Sequence, residues 1–178
     1  EGLCGASRPG HFDGVATVVT KLLVLAGTCT AVFGKKDYQQ LKVIERLVKD
    51  LLLPVLVASH PIVREPDGLA LSSRNSYLTA AERVQALGIV RGLSQAWRAF
   101  QSGVRATGEI GEIVAHQLES HGLVPQYVSV VDADTLEPFT GGVVPLRALL
   151  AVAAMCGLTR LIDNVVLGED PDPLHGYT

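Results

Sequence analysis

The chain has 178 residues, of which 48% are hydrophobic, with 15 Lys+Arg against 18 Asp+Glu and a formal net charge of −3. Its cations are scattered, which argues against a protein held to nucleic acid or to a membrane surface by bulk charge, while leaving room for one basic pocket. The length suits one large domain or two small ones.

In chain order, residues 14–26, "GVATVVTKLLVLA", predict a buried helix closed by Gly27. Residues 28–33, "TCTAVF", predict a strand ending at Gly34. "KKDYQQLKVIERLVKDLLL" then repeats apolar residues at helical spacing (Leu41, Ile44, Leu47/Val48, Leu51), and "VLVAS" (55–59) predicts a second strand. Strand, helix and strand within this length make a βαβ unit, expected to cross right-handedly over a parallel sheet.

After Pro61 the chain turns polar in "PIVREPDGLALSSRNSYL", a segment suited to carrying function. Thr79-Ala80-Ala81-Glu82 is a capping box that starts a helix reaching about Gln101. A second helix is expected over 107–120, stopping at Gly122. Three strands follow, at 126–133, 145–155 and 159–167, predicting a small antiparallel sheet packed on the two helices. Residues 168–178 read as a loose tail.

Cys4, Cys29 and Cys156 have no paired spacing, which fits a reducing cytoplasm better than a disulfide framework or zinc site. No signal peptide and no run of about 18 apolar residues directs the chain to a membrane.

Three short motifs could carry chemistry. In "FGKKDYQQ" (33–40), Lys35 and Lys36 follow a strand and Asp37 opens a helix, where free backbone N–H groups favour anions. The ordinary alternative is a solvated lysine pair beside an Asp N-cap. In "RPGHFDG" (8–14), Arg8 and His11 could converge on a carboxylate or phosphate, or could mark only a tight helix entry. In "LALSSRNSYL" (69–78), Ser72, Ser73 and Arg74 suit a polyphosphate, against the alternative of a hydrophilic loop before the capping box. Asp132, Asp134 and Glu137 read as turn residues. Walker A and G-x-G-x-x-G cradles are absent, so a nucleotide site would be of another kind.

The order and spacing of "RPGHFDGVATVVTKLL", "FGKKDYQQLKVIERLVKDL", "PIVREPDGLALSSRNSYL" and "TRLIDNV" resemble the pantothenate synthetase (pantoate–β-alanine ligase) family over about residues 1–168. The resemblance implies an α/β chain: a partial Rossmann-like nucleotidyltransferase domain, similar to class I aminoacyl-tRNA synthetases, over 1–62. A small α+β C-terminal domain with an antiparallel sheet would occupy 63–178. It implies ATP-dependent condensation of pantoate with β-alanine through a pantoyl adenylate, with Mg²⁺, in a cytoplasmic homodimer.

By the same resemblance Gly34, Lys35, Lys36, Asp37, Val63, Leu71, Ser72, Ser73 and Arg74 face ATP, with Lys36, Ser72, Ser73 and Arg74 catalytic. Gln40 matches the pantoate-binding glutamine, and Arg8 and His11 match other active-site residues. No Mg²⁺ ligand is identifiable. Position 35 is Lys where the family commonly has Glu, and Leu71 replaces Met. The family's M-G-x-L-H-x-G-H signature does not occur here, and the first residue is not Met, so the expectation is a C-terminal piece inactive alone. The alternatives are a diverged non-catalytic nucleotide-binding protein and another nucleotidyltransferase.

Overall fold

Residues 10–177 are described by a computed structural model; the candidate Arg8 lies outside them. They divide into two units, one running to Ile62 and one beginning at Val63.

In the first unit, helix α1 (His11–Ala26) ends as Gly27 N–H donates to the Leu23 carbonyl at 3.0 Å. The helix is less buried than its composition predicts: only Leu23 is fully buried, while Leu22, Val24 and Leu25 remain 60%, 60% and 84% exposed. A two-stranded sheet and one further helix are too small to cover an apolar helix all round.

Strand β1 (Cys29–Gly34) leads through a 3-10 turn (Lys35–Asp37) into helix α2 (Tyr38–Asp50) and strand β2 (Val55–His60). The strands pair in parallel, from Cys29 opposite Val55 to Gly34 opposite His60, so the βαβ unit is present. Tyr38, Leu41 and Ile44, three residues apart, form the buried stripe of α2. The helix stops before the apolar run "LLL" ends. Leu52 N–H donates to Lys49 O and Leu53 N–H to Val48 O, a Schellman closure with Leu52 left-handed at φ 50. Pro54 supplies the reason, because a residue before proline is pushed towards extended backbone.

The second unit holds helices α3 (Ala80–Gln101) and α4 (Thr107–Ser120) and strands β3 (Val124–Val131), β4 (Ala148–Cys156) and β5 (Thr159–Leu167). Thr79 Oγ accepts from Glu82 N–H at 3.2 Å while Glu82 Oε2 accepts from Thr79 N–H at 2.9 Å, so the capping box forms as spelled. The sheet is antiparallel in the order β3-β4-β5. β3 takes the edge, where Pro125 costs no ladder bond and the register shifts before Tyr127. β4 is central, and its nearly unbroken apolar sequence is buried along almost its whole length.

Ile89, Leu93, Ile110, Val114 and Leu118 on the helices pack against Leu150, Val152, Ala154, Leu161 and Val165 on the sheet. Gly92 lets α3 and α4 close on each other: a Cβ there would lie 3.3 Å from the Val114 side chain. Asp132 behaves as the expected turn residue, its Oδ1 accepting from the backbone N–H of Thr135 at 2.8 Å and of Asp134 at 2.9 Å. Those donors hold its carboxyl below the usual range, that of Thr135 most strongly.

The expectation of a loose tail is overturned. Trp97 Nε1 donates to Asp170 O at 2.9 Å, and Asp172 accepts from Ser94 Oγ at 2.5 Å and Arg98 Nε at 2.8 Å. Burial opposes ionisation of Asp172, but the donors from Ser94, Leu174 and Arg98 outweigh it and its carboxyl sits below the usual range. Asp170 and Asp172 looked solvated because Ser94, Trp97 and Arg98 lie more than 70 residues earlier. Among the described residues no helix is long and apolar enough to cross a membrane.

Candidate active site

In the first unit the candidates gather at the carboxyl end of β1. Gly34 closes the strand in extended conformation, and Lys35, Lys36 and Asp37 form the 3-10 turn feeding α2. Lys35 and Lys36 are half-buried and Asp37 is exposed. Asp37 stands at the N-cap position of α2 yet makes no side-chain capping bond, so capping does not account for this aspartate. The first turn of α2 therefore offers its backbone N–H groups and positive end beside two lysines. Tyr38, 4% exposed, anchors the turn, and half-buried Gln40 lies on the same first turn.

His11 begins α1 and meets the Phe12 ring edge-on at 5.2 Å between centroids. Sequence reading missed His60, which ends β2 directly opposite Gly34 and so shares that carboxyl edge. Its Nδ1 lies 2.8 Å from Pro61 O. The available signal was its place at a strand end, where open α/β sheets bind ligands.

In the second unit residues 63–71 form a tight hairpin. Glu65 N–H donates to Leu69 O at 2.8 Å, Gly68 N–H to Glu65 O at 2.8 Å and Leu71 N–H to Val63 O at 2.9 Å. Gly68, at φ 88, is required twice over, since a Cβ there would also lie 2.7 Å from the Leu174 side chain. The hairpin brings Val63 and Leu71 side by side, both more than half exposed. Ser72 follows and accepts from Arg74 N–H through Oγ at 3.3 Å, opening a 3-10 turn over Ser73–Tyr77 in which Ser73 and Arg74 are exposed.

Beneath this tip lies a charged framework that the motifs did not announce. The Arg64 guanidinium forks onto Asp163 of β5 at 2.7 and 3.1 Å, with side-chain exposures of 6% and 3%. Arg83 on α3 donates to Glu65 Oε2 at 2.6 Å and Asp67 Oδ2 at 2.9 Å. The Arg83 hydrogen bond, followed by one from Asn75, holds the Glu65 carboxyl below its usual range.

A depressed folded value means that the unfolded chain binds the proton first. The contribution of Glu65 is thus full above about pH 4.5 and is lost as pH falls through the folded value. Glu65→Gln is expected to flatten the acid limb of the stability curve, read as urea midpoints from about pH 6 down to about pH 3. A limb as steep as the parent's would contradict this.

Among the described residues no three His, Cys, Asp or Glu side chains converge to hold a metal ion.

The Pantoate-beta-alanine ligase family model matches residues 1–166. The chain is 50% identical over 172 residues to a pantothenate synthetase from Magnetococcus marinus, covering 96% of this chain and 58% of that protein. It is 52% identical over 170 residues to one from Myxococcus xanthus, again covering 96% of this chain and 58% of the relative. The chain thus spans little more than half the length of these relatives. A crystal structure of pantothenate synthetase from Thermus thermophilus superposes with a TM-score of 0.85 at 41% identity, over 92% of this chain and 58% of that one. The Francisella tularensis pantoate-beta-alanine ligase, complexed with beta-gamma ATP and β-alanine, gives a TM-score of 0.66 at 32% identity, over 96% and 55%.

Proposed function

The chain belongs to the pantoate–β-alanine ligase family, and on that premise we propose that its two loops grip ATP during condensation of pantoate with β-alanine. The observation that carries this reading is the exposed Ser73–Arg74 tip, with half-buried Ser72 beside it, mounted on a framework of ion pairs that includes the buried Arg64–Asp163 pair. Arg74 offers a planar fork of donors to phosphate oxygens, and Ser72 and Ser73 add hydroxyl and backbone donors. Lys36 neutralises charge at the reacting phosphate, with Lys35, Asp37 and the Gly34 backbone beside it. Gln40 holds pantoate, and the apolar pair Val63 and Leu71 flanks the nucleotide. His11 and Arg8 complete the substrate side.

In the first step a pantoate carboxylate oxygen attacks the α-phosphorus of ATP. The bond to the bridging oxygen breaks, and pyrophosphate leaves with pantoyl adenylate remaining. In the second, the neutral β-alanine amine attacks the acyl carbon, AMP leaves with the bonding electrons, and the amine proton passes to solvent. Transfer at phosphorus draws chiefly on positioning and charge neutralisation, which lysine, arginine and hydroxyl donors supply. Mg²⁺, implied by the same resemblance, would supply further charge neutralisation at the nucleotide phosphates. A homodimer, implied by the same resemblance, is tested by the sedimentation-equilibrium mass.

The deciding experiment places these 178 residues behind the amino-terminal part of the Magnetococcus relative and follows exchange of labelled pyrophosphate into ATP. Exchange that needs pantoate but not β-alanine is expected. Release of ADP and phosphate instead would mean an acyl phosphate route and overturn the adenylate.

A further inference from the structure

We infer that Asn75 is a positioning residue: its carboxamide, buried under the exposed tip, sets how Ser72, Ser73 and Arg74 face the phosphates. This rests on reading the loop as the ATP-phosphate grip.

Asn75 is 8% exposed, although Ser73, Arg74, Ser76 and Tyr77 around it are all exposed. Its Nδ2 donates to Glu65 Oε1 at 2.5 Å and to Ala70 O at 3.0 Å, one acceptor on each arm of the hairpin. Its backbone N–H donates to Ser72 O at 3.0 Å, and its carbonyl accepts from Leu78 N–H at 3.2 Å. One residue therefore ties both arms to the start and end of the tip. The acceptor is itself held, because Glu65 Oε2 takes Arg83 from α3 while Arg64 locks the same hairpin to β5. A continuous run of hydrogen bonds thus links the folded unit to the loop.

The ordinary explanation of a buried side chain in a loop is core filling, and its chemistry argues against that here. An apolar side chain of similar size would fill the space without burying polar atoms. Asn75 instead uses both amide hydrogens and leaves Oδ1 buried with no partner among the described residues. A buried unsatisfied acceptor is costly. The feature that an apolar residue cannot supply is the double donor between the two arms, which fixes direction as well as depth.

The test uses the same chimera and the pantoate-dependent pyrophosphate exchange. Asn75→Asp is nearly isosteric but turns acceptor oxygens towards Glu65 and Ala70. We expect its KM for ATP to rise by ~10-fold to ~100-fold, the scale of a misplaced binding group, with KM for pantoate within about twofold of the parent. Protonation restores one donor, so the defect relative to the parent should shrink as pH falls from about 8 to about 5.5. Asn75→Ala should show the ATP defect without the pH recovery.

Two controls separate the possibilities. Ser94→Ala removes a hydrogen bond three turns along α3 from Arg83, and should lower the thermal midpoint while leaving KM for ATP unchanged. Arg74→Ala tests the grip directly and should raise KM for ATP. If Arg74→Ala has that effect and both Asn75 variants keep the parent KM, positioning by Asn75 is wrong and the loop reading stands. If KM for ATP and pantoate rise together in step with lost folded fraction, the role is merely structural and the inference is overturned. If Arg74→Ala changes nothing, the phosphate reading fails and the inference falls with it.

Discussion

In the chimera with the Magnetococcus amino-terminal part, Lys36→Ala is expected to slow adenylate formation by about a hundredfold to a thousandfold, the scale of losing one preorganised donor to developing charge. The reasoning begins with the turn. Lys36 sits in the 3-10 segment between β1 and α2, half-buried beside Lys35 and ahead of the α2 N-terminus. A charge held there lies at the positive end of the helix and at the carboxyl edge of a parallel pair, so both fields would act on the phosphate proposed for this turn. Alanine keeps the backbone donors and removes the ammonium, which should lower kcat more than it raises KM for ATP. Lys36→Arg should recover little, since a guanidinium fork does not reproduce a compact ammonium. Single-turnover pyrophosphate release checks this, and a rate within about threefold of the parent contradicts the role.

The largest stability effect is expected at Asp163. Asp163→Ala should destabilise the unit from Val63 onward by about 3–5 kcal/mol, because it strands the buried Arg64 guanidinium without its counter-ion. The Arg64–Gly68 O contact at 3.1 Å survives but satisfies only one of five donors. The substitution also removes the bond that Asn164 N–H donates to Asp163 Oδ1 at 2.8 Å. Attraction and desolvation nearly cancel in such a pair, so the double substitution Arg64→Met/Asp163→Leu should recover most of the loss. Trp97, the single tryptophan, lies on α3 in the same unit, and its fluorescence during urea unfolding reports both variants there. A loss below about 1 kcal/mol for Asp163→Ala would show that the pair is solvated.

Local chemistry was legible along the chain. The capping box at Thr79 and Glu82 and the Leu41–Ile44 part of the α2 stripe formed as written, whereas Leu51 lies past the helix end and is 53% exposed. The two ends of each such device lie within a few residues, so the backbone's own geometry brings them together. The pairing sense of the strands was legible for a related reason, since a helix between two short apolar runs calls for a parallel pair and three late strands joined by turns for an antiparallel sheet. Ser72, Ser73 and Arg74 were visible as donors, but their mounting was not.

Only the tertiary structure decided what supports them. Arg64 meets Asp163 across 99 positions, and Asp172 meets Ser94 across 78. No spacing rule announces such pairs, because they depend on how β5 and the tail lie on the hairpin and α3. Asn75 illustrates the point within the motif itself. As a letter in "SSRN" it looked like one more polar loop residue, and only the burial of its amide between Glu65 and Ala70 separates it from its exposed neighbours. The chain by itself determined where its elements begin and which groups could hold an anion; long-range packing decided which of those groups are held still, because burial makes an unpaired polar atom too costly to leave in place.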